Sequence, residues 1–175
     1  EKKDLKKKLL VFEASKWVGV REMGGDNHGQ IVEMFQKAVD GKAVGEPWCA
    51  AFCSFLIKTV DATCAAIEID QTATGLKLSE SVMTMWNNAS SSAKSTTPEA
   101  GCLIVWQMYK DGKATGKGHI GVVTSVVDAK KVQTIEGNTN DGTGVERDGV
   151  GVYARTRDIS GAGSMKVVGF LKPWC

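Results

Sequence analysis

Helical spacing before residue 98 and β-rich runs after it predict an α+β domain, with N-terminal helices packed on a mostly antiparallel sheet. In the first half Leu10, Ala14, Trp17 and Val18 recur at helical spacing, giving a helix over about residues 4–18. Gly24-Gly25-Asp26-Asn27 breaks it, and Ile31, Met34, Phe35 and Ala38 mark a second helix. Cys49, Phe52, Cys53, Leu56 and Val60 form the stripe of a third. Ser79 reads as the N-cap of a fourth that carries Val82, Met85, Trp86 and Ala89 on one face.

Beyond Pro98 the period changes. Residues 102–108 form a short apolar run that reads as a strand. Residues 90–97 and 109–117 read as surface loops, the second mobile and rich in glycine and lysine. Residues 119–127 and 131–136 are β-rich runs on either side of a tight turn at Asp128-Ala129, so they form a hairpin. Strands around Tyr153 and over residues 165–171 complete the sheet.

The chain has 175 residues, enough for one domain with a sizeable core over 1–175. Its 22 basic and 20 acidic residues nearly cancel, which gives no electrostatic reason to expect a nucleic-acid partner. The early lysines (Lys2, Lys3, Lys6, Lys7, Lys8) read as a solvated helix end. No apolar run approaches the roughly 18 residues of a spanning helix, and no signal peptide is legible. Five cysteines, none in a Cys-x-x-Cys pair, argue against a disulfide framework, although one Cys64–Cys102 bridge is compatible with the spacing. With two histidines in the chain, no zinc site is expected.

The chemistry concentrates at Glu46-Pro47-Trp48-Cys49. Pro47 suits the start of a helix, where the first backbone donors lack intrahelical partners. Those donors and the positive end of the helix dipole favour an anion, which makes Cys49 a candidate nucleophile. A two-residue hairpin loop at Asp128-Ala129 sets Val127 opposite Lys130 and carries His119 opposite Asn138, with Gly121 opposite Glu136. His119, Glu136 and Asn138 then share a face. His119 can take the thiol proton and deliver it to a leaving amine, while Glu136 or Asn138 fixes its tautomer. Backbone N–H groups at the start of the cysteine helix, that of Cys49 included, would hold the oxyanion. Trp48, Trp106 and Tyr109 are candidates to border a substrate cleft. His28, at the start of the second helix, reads as an exposed loop histidine.

Three blocks, Pro47-Trp48-Cys49-Ala50-Ala51-Phe52, Gly118-His119-Ile120-Gly121-Val122-Val123 and Thr134-Ile135-Glu136-Gly137-Asn138-Thr139, resemble the signature blocks of CHAP domains, the cysteine, histidine-dependent amidohydrolase/peptidases. The likeness extends from the first helix to Gly169-Phe170-Leu171-Lys172-Pro173. It implies a papain-like fold, peptidoglycan as partner and substrate, and hydrolysis of a stem-peptide or cross-bridge amide. Cys49 would be nucleophile, His119 base, Glu136 the orienting group and Asn138 auxiliary. Some members bind calcium ahead of the nucleophile, but that loop here offers only Asp40 and Glu46, so no metal or other cofactor is expected. The resemblance further implies a monomer acting on the cell wall, in the periplasm or outside the cell. Phage release, delivery by a secretion system or a trimmed chain would each account for the missing signal peptide. A non-catalytic wall-binding or toxin-like module, or a cysteine protease acting on proteins, are the alternatives.

Overall fold

Residues 1–140 and 149–175 are described by a computed structural model. Helix α1 (Lys2–Lys16) buries Leu10 and Ala14, one turn apart, against the rest of the fold. The lysine run at its start is not wholly solvated: Lys6 is buried, with its ammonium 3.0 Å from Asp61 and 3.5 Å from Asp70. Paired carboxylates are what permit a charged amine there. Helix α2 (Gln30–Asp40) turns Val32, Phe35 and Gln36 inward and ends on Gly41, whose positive φ suits a helix C-terminus.

Helix α3 (Cys49–Ala66) has ten buried residues, among them the whole expected stripe of Cys49, Phe52, Cys53, Leu56 and Val60. It is also long and apolar enough to cross a membrane, contrary to the expectation that no such stretch exists. Here that length is spent inside the fold, because α3 is the central helix against which α1, α2 and the sheet pack. Helix α4 (Val82–Asn88) is capped by Ser81, which accepts the Thr84 N–H at 3.3 Å, and not by Ser79. Ser79 Oγ instead accepts the Ser81 N–H at 3.0 Å, one step upstream of the cap.

Among the described residues, six strands form one antiparallel sheet in the order β1-β6-β2-β3-β4-β5, so the α+β expectation holds. They are β1 (Lys94–Ser95), β2 (Leu103–Lys110), β3 (Lys113–Val126), β4 (Lys131–Thr139), β5 (Gly151–Asp158) and β6 (Met165–Leu171). Two expected loops prove to be structured. A 3₁₀ turn at Ser91–Ala93 leads into β1, which pairs Lys94 with Leu171 through the backbone alone, so its polar side chains carried no strand pattern. In residues 109–117, β2 and β3 join at a hairpin whose turn residues Asp111 and Gly112 both have positive φ, the mirror-image turn that Asp-Gly favours.

The sheet has two buried faces. Leu103, Val105, Ile120, Val122, Ile135, Val152 and Leu171 meet the helices. Cys102, Ile104, Trp106, Val123, Val132 and Phe170 form a smaller cluster on the opposite face. Alternation along each strand therefore puts His119 on β3, Thr134 and Glu136 on β4, and Arg157 on β5 on that second face. This arrangement is consistent with the papain-like fold.

Candidate active site

The β3–β4 register sets the site, and it reaches the expected pairing by an unexpected route. The connection is longer than two residues: Val126 pairs with Val132, and Asp128 Oδ1 accepts the N–H groups of Lys130 and Lys131 at 2.7 and 2.9 Å. A register shift between Val123 and Ser125 then offsets the pairing by one, so Val123 faces Thr134 and Val122 faces Ile135. Continuing that register sets Gly121 against Glu136. A Cβ on Gly121 would lie 2.5 Å from Glu136 Cγ, so the missing side chain is the space the carboxylate occupies.

Glu136 is fully buried and saturated with donors. His119 Nε2 lies 2.7 Å from Oε1. Arg157 forks across both oxygens, Nη2 to Oε1 at 2.6 Å and Nε to Oε2 at 2.9 Å. The Thr134 hydroxyl also donates to Oε2. Burial alone would push this carboxyl up; the bonds from Arg157 and His119, with their charges, outweigh it and hold Glu136 well below the usual carboxylate range.

His119 shows the complementary balance. Burial disfavours its charged form, but hydrogen bonding to Cys49 and Glu136, and the charges of both, raise it from 6.5 to about 9. With Nε2 turned to Glu136, Nδ1 is the ring nitrogen left for the sulfur. The Trp106 ring packs against His119 at 5.4 Å between centroids, and the Arg157 guanidinium covers Trp106 at 5.2 Å. Arg157, Glu136, His119 and Trp106 thus form a row across β5, β4, β3 and β2 on one face of the sheet.

Cys49 opens α3, after an N-cap residue, Trp48, that makes no side-chain cap. The first backbone donors of this helix are consequently not engaged by a capping side chain. The approach to the helix is braced: Trp48 Nε1 donates to Glu22 at 2.9 Å, Asn27 Nδ2 to Gly45 O at 3.2 Å, and Gln36 Nε2 to Glu46 O at 2.8 Å. At the other side of the site α3 closes on β4, where a Cβ on Gly137 would lie 2.8 Å from Phe52.

Of the expected site residues, Cys49, His119 and Glu136 come together. Asn138 does not join their hydrogen-bond chain among the described residues. It has a left-handed backbone (φ 54°) where the β4–β5 pairing shifts between Glu136 and Thr139. Trp48 and Trp106 do not border a cleft: both have no exposed surface, Trp48 stacked on Phe35 and Trp106 beneath His119. Tyr109 is partly buried, three residues along β2 from Trp106, under the Lys166 ammonium at 4.6 Å. His28 stays half exposed, 3.4 Å from Glu33.

Arg157 and Thr134 were missed. The available signal was alternation in the β5 segment, which turns Tyr153, Arg155 and Arg157 to one face beside β4. All five cysteines are free, so Cys64 and Cys102 are not bridged. Asp40 accepts the Lys42 N–H, and Glu46 accepts the Val44 N–H. No group of three or more His, Cys, Asp or Glu side chains among the described residues is arranged for a metal.

A search of curated proteins finds no match. The family model of the CHAP domain matches residues 41–138, from the loop before α3 through His119 and Glu136 to Asn138, which is more than half of the chain. Together with a cysteine at a helix start beside a strand histidine backed by a carboxylate, that match makes this chain a member of the CHAP domain family, whose members are amidases and peptidases of peptidoglycan.

Proposed function

We propose that this chain is a peptidoglycan hydrolase that cuts a stem-peptide or cross-bridge amide through an acyl-enzyme on Cys49, acting at the cell wall. The observation that carries the reading is the 2.7 Å hydrogen bond between His119 Nε2 and the buried Glu136 carboxylate, with Cys49 near enough to help raise the imidazole. In the first step Cys49 Sγ, its proton held on His119, attacks the amide carbonyl and forms the C–S bond. The oxyanion is met by N–H groups at the start of α3, that of Cys49 among them. His119 gives its proton to the amide nitrogen as the C–N bond breaks, and the amine departs. Water then attacks the thioester, His119 takes the water proton, and the carboxylate product leaves Cys49 as it was. Glu136 holds the ring in one orientation and stabilises its charged form throughout.

Incubating the protein with purified sacculi and identifying the released fragments by mass spectrometry tests this. Wild-type protein should release fragments with one new amine and one new carboxyl end, and Cys49→Ala should release none. Equal release by Cys49→Ala would overturn the reading, and binding to sacculi by both proteins without any wild-type cleavage would favour a wall-binding module.

A further inference from the structure

Arg157 is a buried charge at the site that the chemistry above does not use. It lies on β5, outside the residues matched by the family model, and its side chain is 9% exposed. It meets both Glu136 oxygens and covers the Trp106 ring that in turn packs on His119. A planar five-donor fork at this spot can do what a lysine cannot: occupy both oxygens at once and so fix the carboxylate plane. With Oε2 taken by Arg157 and Thr134, Oε1 is the oxygen left to face His119.

We propose that Arg157 is a positioning residue for the reaction: it locks the Glu136 carboxylate in the plane that holds the His119 ring toward Cys49, and its charge sets the pH window in which sulfur and ring work together. This rests on the active-site reading. Among the described residues, the ionisable groups around the pair are Cys49 and Cys53 from α3, His119 from β3, and Tyr153, Arg155 and Arg157 from β5. Of the two guanidinium groups, Arg157 is the one bonded to the carboxylate, while Arg155 bonds Thr139 and Asn140. Removing the Arg157 charge makes every protonated form in the cluster easier to keep, so both edges of the window move the same way, to higher pH.

The test compares Arg157→Met and Arg157→Lys in the full chain by two readouts. One is the pH profile of Cys49 alkylation by iodoacetamide, which needs no substrate; the other is kcat and KM on solubilised peptidoglycan. Arg157→Met should shift both limbs of the alkylation profile upward by about one pH unit and lower kcat by up to about 100-fold with KM little changed. Arg157→Lys should leave the limbs in place and still lower kcat roughly 10-fold, because it keeps charge and loses the plane. A folded Arg157→Met protein with an unmoved profile overturns the proposal. Should Arg157→Met fail to fold, Arg157→Lys decides, and wild-type kcat in that variant overturns it. Hydrolysis that survives in Cys49→Ala would sink the active-site reading instead, and the alkylation profile would still judge Arg157.

Discussion

Two glutamates in this molecule, both with buried carboxyl oxygens, reach opposite states. Glu136 meets donors from His119, Thr134 and Arg157 and stays ionised far into acid. Glu80, two residues before α4, faces Glu46 from the loop that feeds α3, and the Oε1 atom of each has no donor among the described residues. Burial, then the neighbouring Glu46 carboxyl, and the charges of Glu46 and Asp40 raise Glu80 from 4.5 to about 7. Residue type and burial thus do not decide the charge. The partners do, and they supply donors where a fixed negative charge can orient an imidazole and leave them out where only the chain path is at stake.

The largest effect in this comparison should come from Glu136. Glu136→Gln keeps the shape but loses the charge and turns one of the two oxygens that accept from His119, Thr134 and Arg157 into a donor, and kcat should fall by roughly 10³–10⁴. Glu136→Ala additionally strands Arg157 in the interior, and should lose about 3–5 kcal/mol in denaturant unfolding. Loss of stability without loss of turnover in the Gln variant would reduce Glu136 to the same structural standing as Glu80.

Next comes pH. His119 stays charged through neutrality and discharges near 9, so wall hydrolysis should hold across neutral pH and fall as pH rises through about 9. The sign for stability follows from the same shifts. The raised His119 contributes fully below pH 6.5 and its share is lost as pH rises through about 9. The depressed Glu136 contributes above pH 4.5 and its share is lost as pH falls toward its folded value. Thermal unfolding across pH 3–10 checks both edges.

A smaller effect separates the two cysteines one turn apart on α3. Burial above all, then the charges of Cys49 and Glu136, pushes the Cys53 thiol well up, so it packs as an apolar group. Iodoacetamide should label Cys49 and spare Cys53 in the folded protein, and Cys53→Ala should retain turnover while losing about 1 kcal/mol of stability. The smallest change should be at Glu80. Its raised value means that its share of stability is complete below pH 4.5 and lost as pH rises through about 7. Glu80→Gln should therefore raise Tm slightly at pH 8 and leave it unchanged at pH 4, with hydrolysis unaffected.

How far the sequence reached depends on whether side-chain pattern or backbone set each feature. Helices α2 and α3 were legible because Phe35 and the Cys49, Phe52, Cys53, Leu56 stripe must face a core. Strand β1 was not, since Lys94 and Ser95 join the sheet through their peptide groups, which every residue carries. The His119, Gly121, Glu136 grouping was legible from alternation even though the turn at Asp128 was longer than expected, because the β3 irregularity near Thr124 restored the offset. Trp48 and Trp106 were misplaced because a large aromatic near a site reads the same from sequence whether it borders a cleft or lies beneath it. Arg157 was missed for a topological reason: it reaches Glu136 from the next strand, 21 positions on, and no local spacing links them.

The central claim is that Cys49 and His119 share a proton across their contact. Titrating the His119 ring by ¹⁵N NMR in the wild type and in Cys49→Ala tests it most directly. A ring charged at pH 7, with a midpoint near 9 that drops once the sulfur is removed, is the predicted result. A ring neutral at pH 7, with the same midpoint in both proteins, would contradict it.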